Sequence, residues 1–403
     1  MPRNFDRTSL SFHKRSSIIR GLIASTGLLL ALAGCGGGKS EVPPTSRTTV
    51  PDQPVNTKVD SFVQAELTRQ RIPGLALVVL KDGKVIYTKG YGYANLGQAV
   101  PATTEQRFQI GSISKQFTAA AVLLLVQDGK MALDEKIGKY LTGIPAEWEA
   151  ITVRHLLAHT SGLPRDFDES VFANADSHGP YSTDQLLTIA KTIKPMHAAG
   201  QMYAYSNIGY QLMGGIIEKV SGAPFGKLLQ DRIFTPLGMS TARLISVQDL
   251  AGSATGYFIG DSKLLQALQM SKISPGVQSL YPNGAGGVEM SATDLAKWDV
   301  SLDTDKILTK SSRNQMWAAS ALAQQADTYT INYGLGWFLS DFNKHPKVYH
   351  SGGMHAFTTD YLHYTDGKLS VIVLTNLGED HSNPETISRT IGEMFVPGTW
   401  PPK

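Results

Sequence analysis

The chain has 403 residues, 42% apolar and 18% charged, which suits one large or two intertwined domains with a sizeable core. Its formal charge is +3, but residues 1–34 hold five basic side chains (Arg3, Arg7, Lys14, Arg15, Arg20) against one acid, Asp6. The remainder is within one charge of neutral, so composition gives no electrostatic case for nucleic-acid binding. The single cysteine, Cys35, excludes an internal disulfide and a cysteine-based zinc site.

The basic start is followed by the short apolar run Gly21–Ala33, which ends at "LAGC", Leu32–Cys35. The run is too short to span a bilayer as a stable helix and reads as a signal peptide over residues 1–34. Its end resembles the lipobox of bacterial lipoproteins. That resemblance implies cleavage before Cys35 and lipidation of its thiol, which would anchor the chain to a membrane. Gly36, rather than Asp, follows the cysteine. In Gram-negative lipoproteins this resembles an outer-membrane address, so the expected location is the cell envelope, on the periplasmic face of the outer membrane. Residues 35–56 then form the lipidated cysteine and a tether rich in Gly, Pro, Ser and Thr, which cannot bury enough apolar surface to order itself.

The folded domain is expected over residues 57–403. Val59, Phe62, Val63 and Leu67 lie at helical spacing and predict a helix over Thr57–Gln70. "LALVVL" (Leu75–Leu80) and "VIYTKGYG" (Val85–Gly92) flank Asp82-Gly83, a hairpin signal because a type I′ turn needs positive φ. The C-terminal end has the same style. "YGLGWFLS", "KVYH", "FTTDYLHY" and "LSVIVLTN" read as strands, with Asp366-Gly367 as a second turn and a last helix over Pro384–Phe395.

A long helical stretch is expected between these ends. A helix opening at Ser112 has the nearly continuous apolar body "FTAAAVLLLV" and stops at Gly129, the pattern of a buried central helix. Further helices are expected near "TVRHLLAH", "DQLLTIA", "IGYQLMGGIIEKV" and "SATDLAKWDVSL", the last with Ser291 and Asp294 at capping-box spacing. The fold class is thus α/β (α+β). One antiparallel sheet forms from both chain ends, about residues 57–110 and 331–403, with helices on its faces. A mostly helical region, about 111–330, is inserted between, and the cleft between the two parts is the default site.

The stretch "GSISK" places Ser112 and Lys115 three apart, on one face of a helix, with Ser114 turned about 200° from Ser112. A desolvated lysine can be neutral enough to take a serine proton, and a helix start favours developing negative charge. Alone, S-x-x-K is weak. It occurs again at Ser11–Lys14 in the leader, and serine is a good N-cap. Tyr205 could equally be a core tyrosine, and Tyr203 lies on the same side of an extended segment. Asn207 could cap the following helix, and His350 could be an ordinary strand histidine.

Three stretches in order, "GSISK", Tyr205-Ser206-Asn207 and His350-Ser351-Gly352, resemble the serine β-lactamase and penicillin-binding-protein superfamily. The match is to its branch of class C β-lactamases, D-Ala-D-Ala carboxypeptidases, D-aminopeptidases and related esterases. "LLAHTSGLP", "PLGM", "AGGVEMSATDLAKW" and "YGLGW" carry the same resemblance across nearly all of residues 57–403. It implies a β-lactamase/transpeptidase-like fold and a serine hydrolase without a cofactor. Ser112 would be the nucleophile, with Lys115 and Tyr205 exchanging its proton, and Asn207 would orient Lys115 and the substrate. His350, Ser351, Gly352 and Gly353 would line the substrate, and the N–H groups of Ser112 and Gly353 would form the oxyanion hole. The substrate would be a small molecule or peptide with an ester or amide bond, such as a D-amino-acid peptide or cell-wall fragment, and a β-lactam adduct is possible. Dedicated β-lactamases carry Lys where His350 stands. A class C-type β-lactamase and a non-catalytic penicillin-binding or sensor lipoprotein are therefore the alternatives. His155 and His159 are four apart but lack the H-E-x-x-H pattern, so no metal site is expected. Selectivity is expected in the loops Pro164–Pro180 and Gly260–Pro282.

Overall fold

A computed structural model describes residues 54–167, 183–245, 251–260, 263–266, 284–325, 329–366 and 369–398. The leader, Cys35 and the tether lie outside these residues, as do most of the two selectivity loops and Gly367 of the second expected turn.

Among the described residues, nine strands form one sheet. Their spatial order is Val100–Pro101, Lys84–Asn95, Gly74–Lys81, Leu369–Thr375, Phe357–Tyr364, Lys347–Met354, Phe338–Ser340, Thr330–Tyr333 and Ala321–Gln325. Every neighbouring pair is antiparallel. The two chain ends meet at its centre, where Leu75 pairs with Thr375 and Lys81 with Leu369. Asp82 and Gly83 both have positive φ, 51° and 68°, as a type I′ hairpin requires.

Alternation along Gly74–Lys81 explains its unbroken apolar run. Leu75, Leu77 and Val79 pack with Val59, Val63 and Leu67 of the helix Pro54–Gln70 and with Ile387 and Ile391 of the helix Pro384–Phe395. Ala76, Val78 and Leu80 belong to the opposite core, which holds Leu295 and Trp298 of the helix Ala292–Leu302. Both sheet faces are covered, so no position on this strand needs a polar side chain. Full burial of each Val or Leu contributes about 1.5–3 kcal/mol.

The central helix runs from Ser114 to Gln127, and every residue from Ser114 to Leu125 is buried. It ends in a Schellman motif. Gly129, at φ 69°, donates to Val126 O, and Lys130 N–H donates to Leu125 O. The expected opening at Ser112 is corrected, because Gly111–Ile113 is a tighter 3₁₀ turn and the α-helix starts two residues later.

The middle region is less purely helical than its periodicity suggests. Phe108–Gln109, Val288–Met290 and Arg243–Leu244 form a small sheet, and Tyr257–Gly260 pairs with Lys263–Gln266. The main sheet also begins earlier than expected, at Ala321. "YGLGWFLS" is two strand ends rather than one strand. Gly336 turns between them at φ 81°, where a Cβ would meet Lys115 O at 2.7 Å. The loop thus presses its backbone against the central helix beside Lys115.

Candidate active site

Ser112 reaches the cleft because two glycines allow backbone to touch backbone. Gly111 has φ 53°, and a Cβ there would lie 2.9 Å from Gly353 N. A Cβ on Gly352 would lie 2.0 Å from Ile110 O. The turn carrying Ser112 is therefore docked on the strand Lys347–Met354, which runs past the end of its neighbour Phe338–Ser340, paired only as far as Tyr349. Ser112 makes no capping bond to this helix start. Ser114 points away, with its Oγ accepting from Val288 N–H at 3.0 Å.

Lys115 is buried, and its Nζ has three neighbours. These are Ser112 Oγ at 3.1 Å, Asn207 Oδ1 at 2.8 Å and the Ala285 carbonyl at 2.7 Å. Burial, and then the positive charge of Arg165, hold its pKa well below the ordinary lysine range. The partner chemistry fits the uncharged amine. Two of the three neighbours are carbonyl oxygens, which only accept, and an amine has two N–H groups to give them. The lone pair is then left for the Ser112 hydroxyl to donate into.

The orientation of Asn207 is fixed from behind. Its Nδ2 donates to Asp166 Oδ1 at 2.8 Å, and a carboxylate can only accept, so Oδ1 must face Lys115. Asn207 is not the N-cap of its helix, as one sequence reading allowed. Ser206 fills that role, accepting from Gly209 N–H at 3.1 Å, and the Asn207 amide is left to reach inward.

Tyr205 is half-buried beside Ser112, and desolvation pushes the phenol above its usual range while the Ser112 hydroxyl acts to lower it. Lys115 Nζ lies 4.9 Å from its ring centroid and Arg165 Cζ 5.2 Å. Tyr203 packs instead against His159 and Tyr333. The segment is held on both sides of Tyr205 by one residue. Ala204 N–H donates to His159 O at 2.8 Å, and Ser206 N–H donates to His159 Nδ1 at 3.0 Å. The His159 ring lies 4.1 Å from that of Tyr205, centroid to centroid. His155, by contrast, closes a capping box with Thr152.

His350 is buried on the same strand as Gly352 and Gly353. Its Nδ1–H donates to Ser351 O at 2.6 Å, and its Nε2 accepts from Tyr333 O–H at 3.0 Å. Burial, above all, presses its pKa down to about 3. The ring is therefore neutral at physiological pH. Ser351 is half-buried and Gly353 exposed to the cleft.

The structure thus brings Ser112, Lys115, Tyr205 and Asn207 into contact, with the strand residues 350–353 beside them. Sequence reasoning did not single out the Ala285 carbonyl, Asp166, Arg165 or Glu379. Arg165 and Asp166 fell inside a loop named for selectivity, but nothing in their spacing pointed to Asn207. Glu379 sits after the last strand and reaches Gly353, where a Cβ would lie 2.0 Å from Glu379 Oε2. No local motif signals that contact.

Comparison with known proteins agrees with this architecture. The beta-lactamase family model matches residues 59–392. Penicillin-binding protein 4* of Bacillus subtilis is 29% identical over 320 residues, covering 77% of this chain and 70% of that protein. A D-aminopeptidase of Brucella anthropi is 30% identical over 320 residues, covering 79% of this chain but only 59% of that protein. The octameric penicillin-binding protein homologue from Pyrococcus abyssi superposes with a TM-score of 0.75 at 28% identity, covering 85% of this chain and 77% of that one. The chain belongs to the beta-lactamase family and is a hydrolase with the β-lactamase/transpeptidase-like fold.

Proposed function

We propose that the protein hydrolyses an ester or amide through an acyl-Ser112 intermediate, with D-amino-acid peptides or cell-wall fragments as substrates. The observation that carries this reading is the desolvated Lys115 amine, which gives its two N–H groups to carbonyls and faces the Ser112 hydroxyl at 3.1 Å.

In the proposed cycle Ser112 Oγ attacks the substrate carbonyl as its proton passes to Lys115. The carbonyl oxygen becomes an oxyanion against the N–H groups of Ser112 and Gly353, where one such donor is typically worth ~3 kcal/mol. Tyr205 gives its proton to the leaving group as the scissile bond breaks, and the Lys115 proton restores the phenol. Water then attacks the acyl-enzyme by the reverse proton route. In the same reading Cys35 carries a lipid, residues 36–56 tether the domain, and the enzyme works at the envelope. The relatives named for penicillin binding and D-aminopeptidase activity support the substrate class.

Covalent labelling tests the chemistry. A fluorophosphonate or penicillin probe should add its mass at Ser112, and Ser112→Ala should lose hydrolysis. Absence of both adducts together with undiminished hydrolysis in Ser112→Ala would refute the proposal. A neutral His350 offers no fixed cation for the carboxylate of a β-lactam, so nitrocefin turnover is expected to be slow. Turnover at enzyme-like rates would favour a β-lactamase instead.

A further inference from the structure

We propose that Glu379 selects substrates that carry a positive charge beside the scissile carbonyl, namely esters and amides of amino acids with a free α-amine. This inference rests on the acyl-serine reading above.

The carboxylate is presented by a fixed backbone. The Asn376 side chain accepts from Gly74 N–H at 2.7 Å and donates to Tyr93 O at 3.1 Å and Thr255 O at 2.9 Å. Gly378 N–H donates to Tyr257 O at 2.9 Å. A Cβ on Gly378 would collide with His355 O at 2.1 Å, so the loop lies flat on its neighbour. Glu379 emerges from this anchored turn, and its Oε2 fills the space that a side chain at position 353 would occupy.

Among the described residues, the Glu379 carboxylate receives no hydrogen bond and joins no ion pair. Burial raises the Glu379 carboxyl above its usual range, and the groups that act to lower it are Arg165 and, more weakly, His355. Arg165 already has a carboxylate, Asp166, at 3.4 Å, and lies over the Tyr205 ring. The strand supplies no compensating charge, because His350 is neutral. A carboxylate with no hydrogen-bond donor among the described residues therefore stands beside Gly353, whose N–H meets the developing oxyanion in the reading above. Such an anion opposes the oxyanion unless a cation lies between them. An α-ammonium group is two bonds from the carbonyl carbon and can occupy that place. A neutral N-acyl group leaves Glu379 uncompensated, and a carboxylate adds repulsion.

The test compares D-alanine p-nitroanilide with N-acetyl-D-alanine p-nitroanilide on the wild type, Glu379→Gln, Glu379→Lys and Ser112→Ala, with p-nitrophenyl acetate as an uncharged ester. The wild type should prefer the free amine by about tenfold or more in kcat/KM. Glu379→Gln should bring that ratio near one, and Glu379→Lys should reverse it. An unchanged ratio in Glu379→Gln, or a wild type that prefers the acetylated compound, overturns the inference. Should neither anilide turn over, the two are compared as inhibitors of p-nitrophenyl acetate hydrolysis, and equal inhibition overturns it. Failure of the acyl-serine reading shows separately, as p-nitrophenyl acetate hydrolysis that survives Ser112→Ala.

Discussion

Asp166 Oδ1 accepts a 2.8 Å hydrogen bond from Asn207 Nδ2, and this single contact decides which end of the amide faces Lys115. Were the amide reversed, two N–H donors would confront the lysine nitrogen. Asp166 is in this sense a positioning residue. Asp166→Ala should lower kcat by roughly tenfold to a hundredfold, the usual scale for a small misplacement of a reacting group. Asp166→Asn keeps an acceptor for Asn207 and should lose much less.

Asp166 and its neighbour Arg165 set the pH dependence. Lys115 must be uncharged to accept a proton, so activity rises as pH climbs through its lowered pKa. After burial, Arg165 lowers that pKa and Asp166 raises it. Removing the cation in Arg165→Gln should therefore move the acid limb of kcat/KM to higher pH. Removing the anion in Asp166→Asn should move it to lower pH. Both side chains are largely exposed, so solvent screens them and the shifts will be small. Shifts in the same direction for both variants would refute the assignment.

His350 offers a second pH test. Its pKa of about 3 means the imidazole stays neutral from pH 5 to 8, with the proton on Nδ1. In nuclear magnetic resonance the ring signals that disappear in His350→Gln should not titrate across this window. Because the folded pKa lies below the unfolded value of about 6.5, the stability tied to the neutral ring is present above 6.5. It is lost as pH falls toward 3. A midpoint near 6.5 in the folded protein would contradict the buried, Tyr333-bonded ring.

Much of this architecture is legible in the sequence for identifiable reasons. The Asp82-Gly83 turn needs positive φ, and the helix Pro384–Phe395 and the strand Phe357–Tyr364 follow their apolar patterns to the residue. Ser112, Lys115, Tyr205 and Asn207 are legible because their motifs hold fixed order and spacing. The short strands Phe108–Gln109, Arg243–Leu244 and Val288–Met290 are not, since a strand of two or three residues has no period. Contacts such as Asp166 with Asn207, or Glu379 with Gly353, join residues from separate loops, and local patterning carries no information about them.

Asp360 gives a stability prediction remote from the cleft. It is buried on the strand Phe357–Tyr364, with Oδ2 accepting from the Ser388 hydroxyl and Oδ1 without a partner among the described residues. Burial, and then the negative charge of Glu385, raise its pKa to about 8. The folded state therefore keeps a proton that the unfolded chain releases near 3.8. The stability tied to that proton is full below about 4 and is lost as pH rises toward about 8. Asp360→Asn cannot ionise. Its Tm relative to wild type should therefore increase from pH 5 to pH 8, and a difference that stays constant with pH would show that Asp360 is ionised in the fold.

His159 makes the most stringent test of how the phenol is held. The residue has φ 58°, a left-handed conformation uncommon for a side chain other than Gly, Asn or Asp. There its carbonyl and its Nδ1 bind the N–H groups on both sides of Tyr205. Burial, above all, holds the ring neutral, so Nδ1 can stay an acceptor. His159→Phe keeps an aromatic ring against Tyr205 but leaves the buried Ser206 N–H without an acceptor. An orphaned buried donor costs about 1–3 kcal/mol, and Ser206 is also the cap of the helix that carries Asn207. His159→Phe should therefore lower Tm by several degrees and slow fluorophosphonate labelling of Ser112. His159→Asn tolerates the positive φ and can offer a side-chain oxygen, so it should lose less of both. If His159→Phe matched wild type in Tm and in labelling rate, Tyr205 would be held by something other than His159.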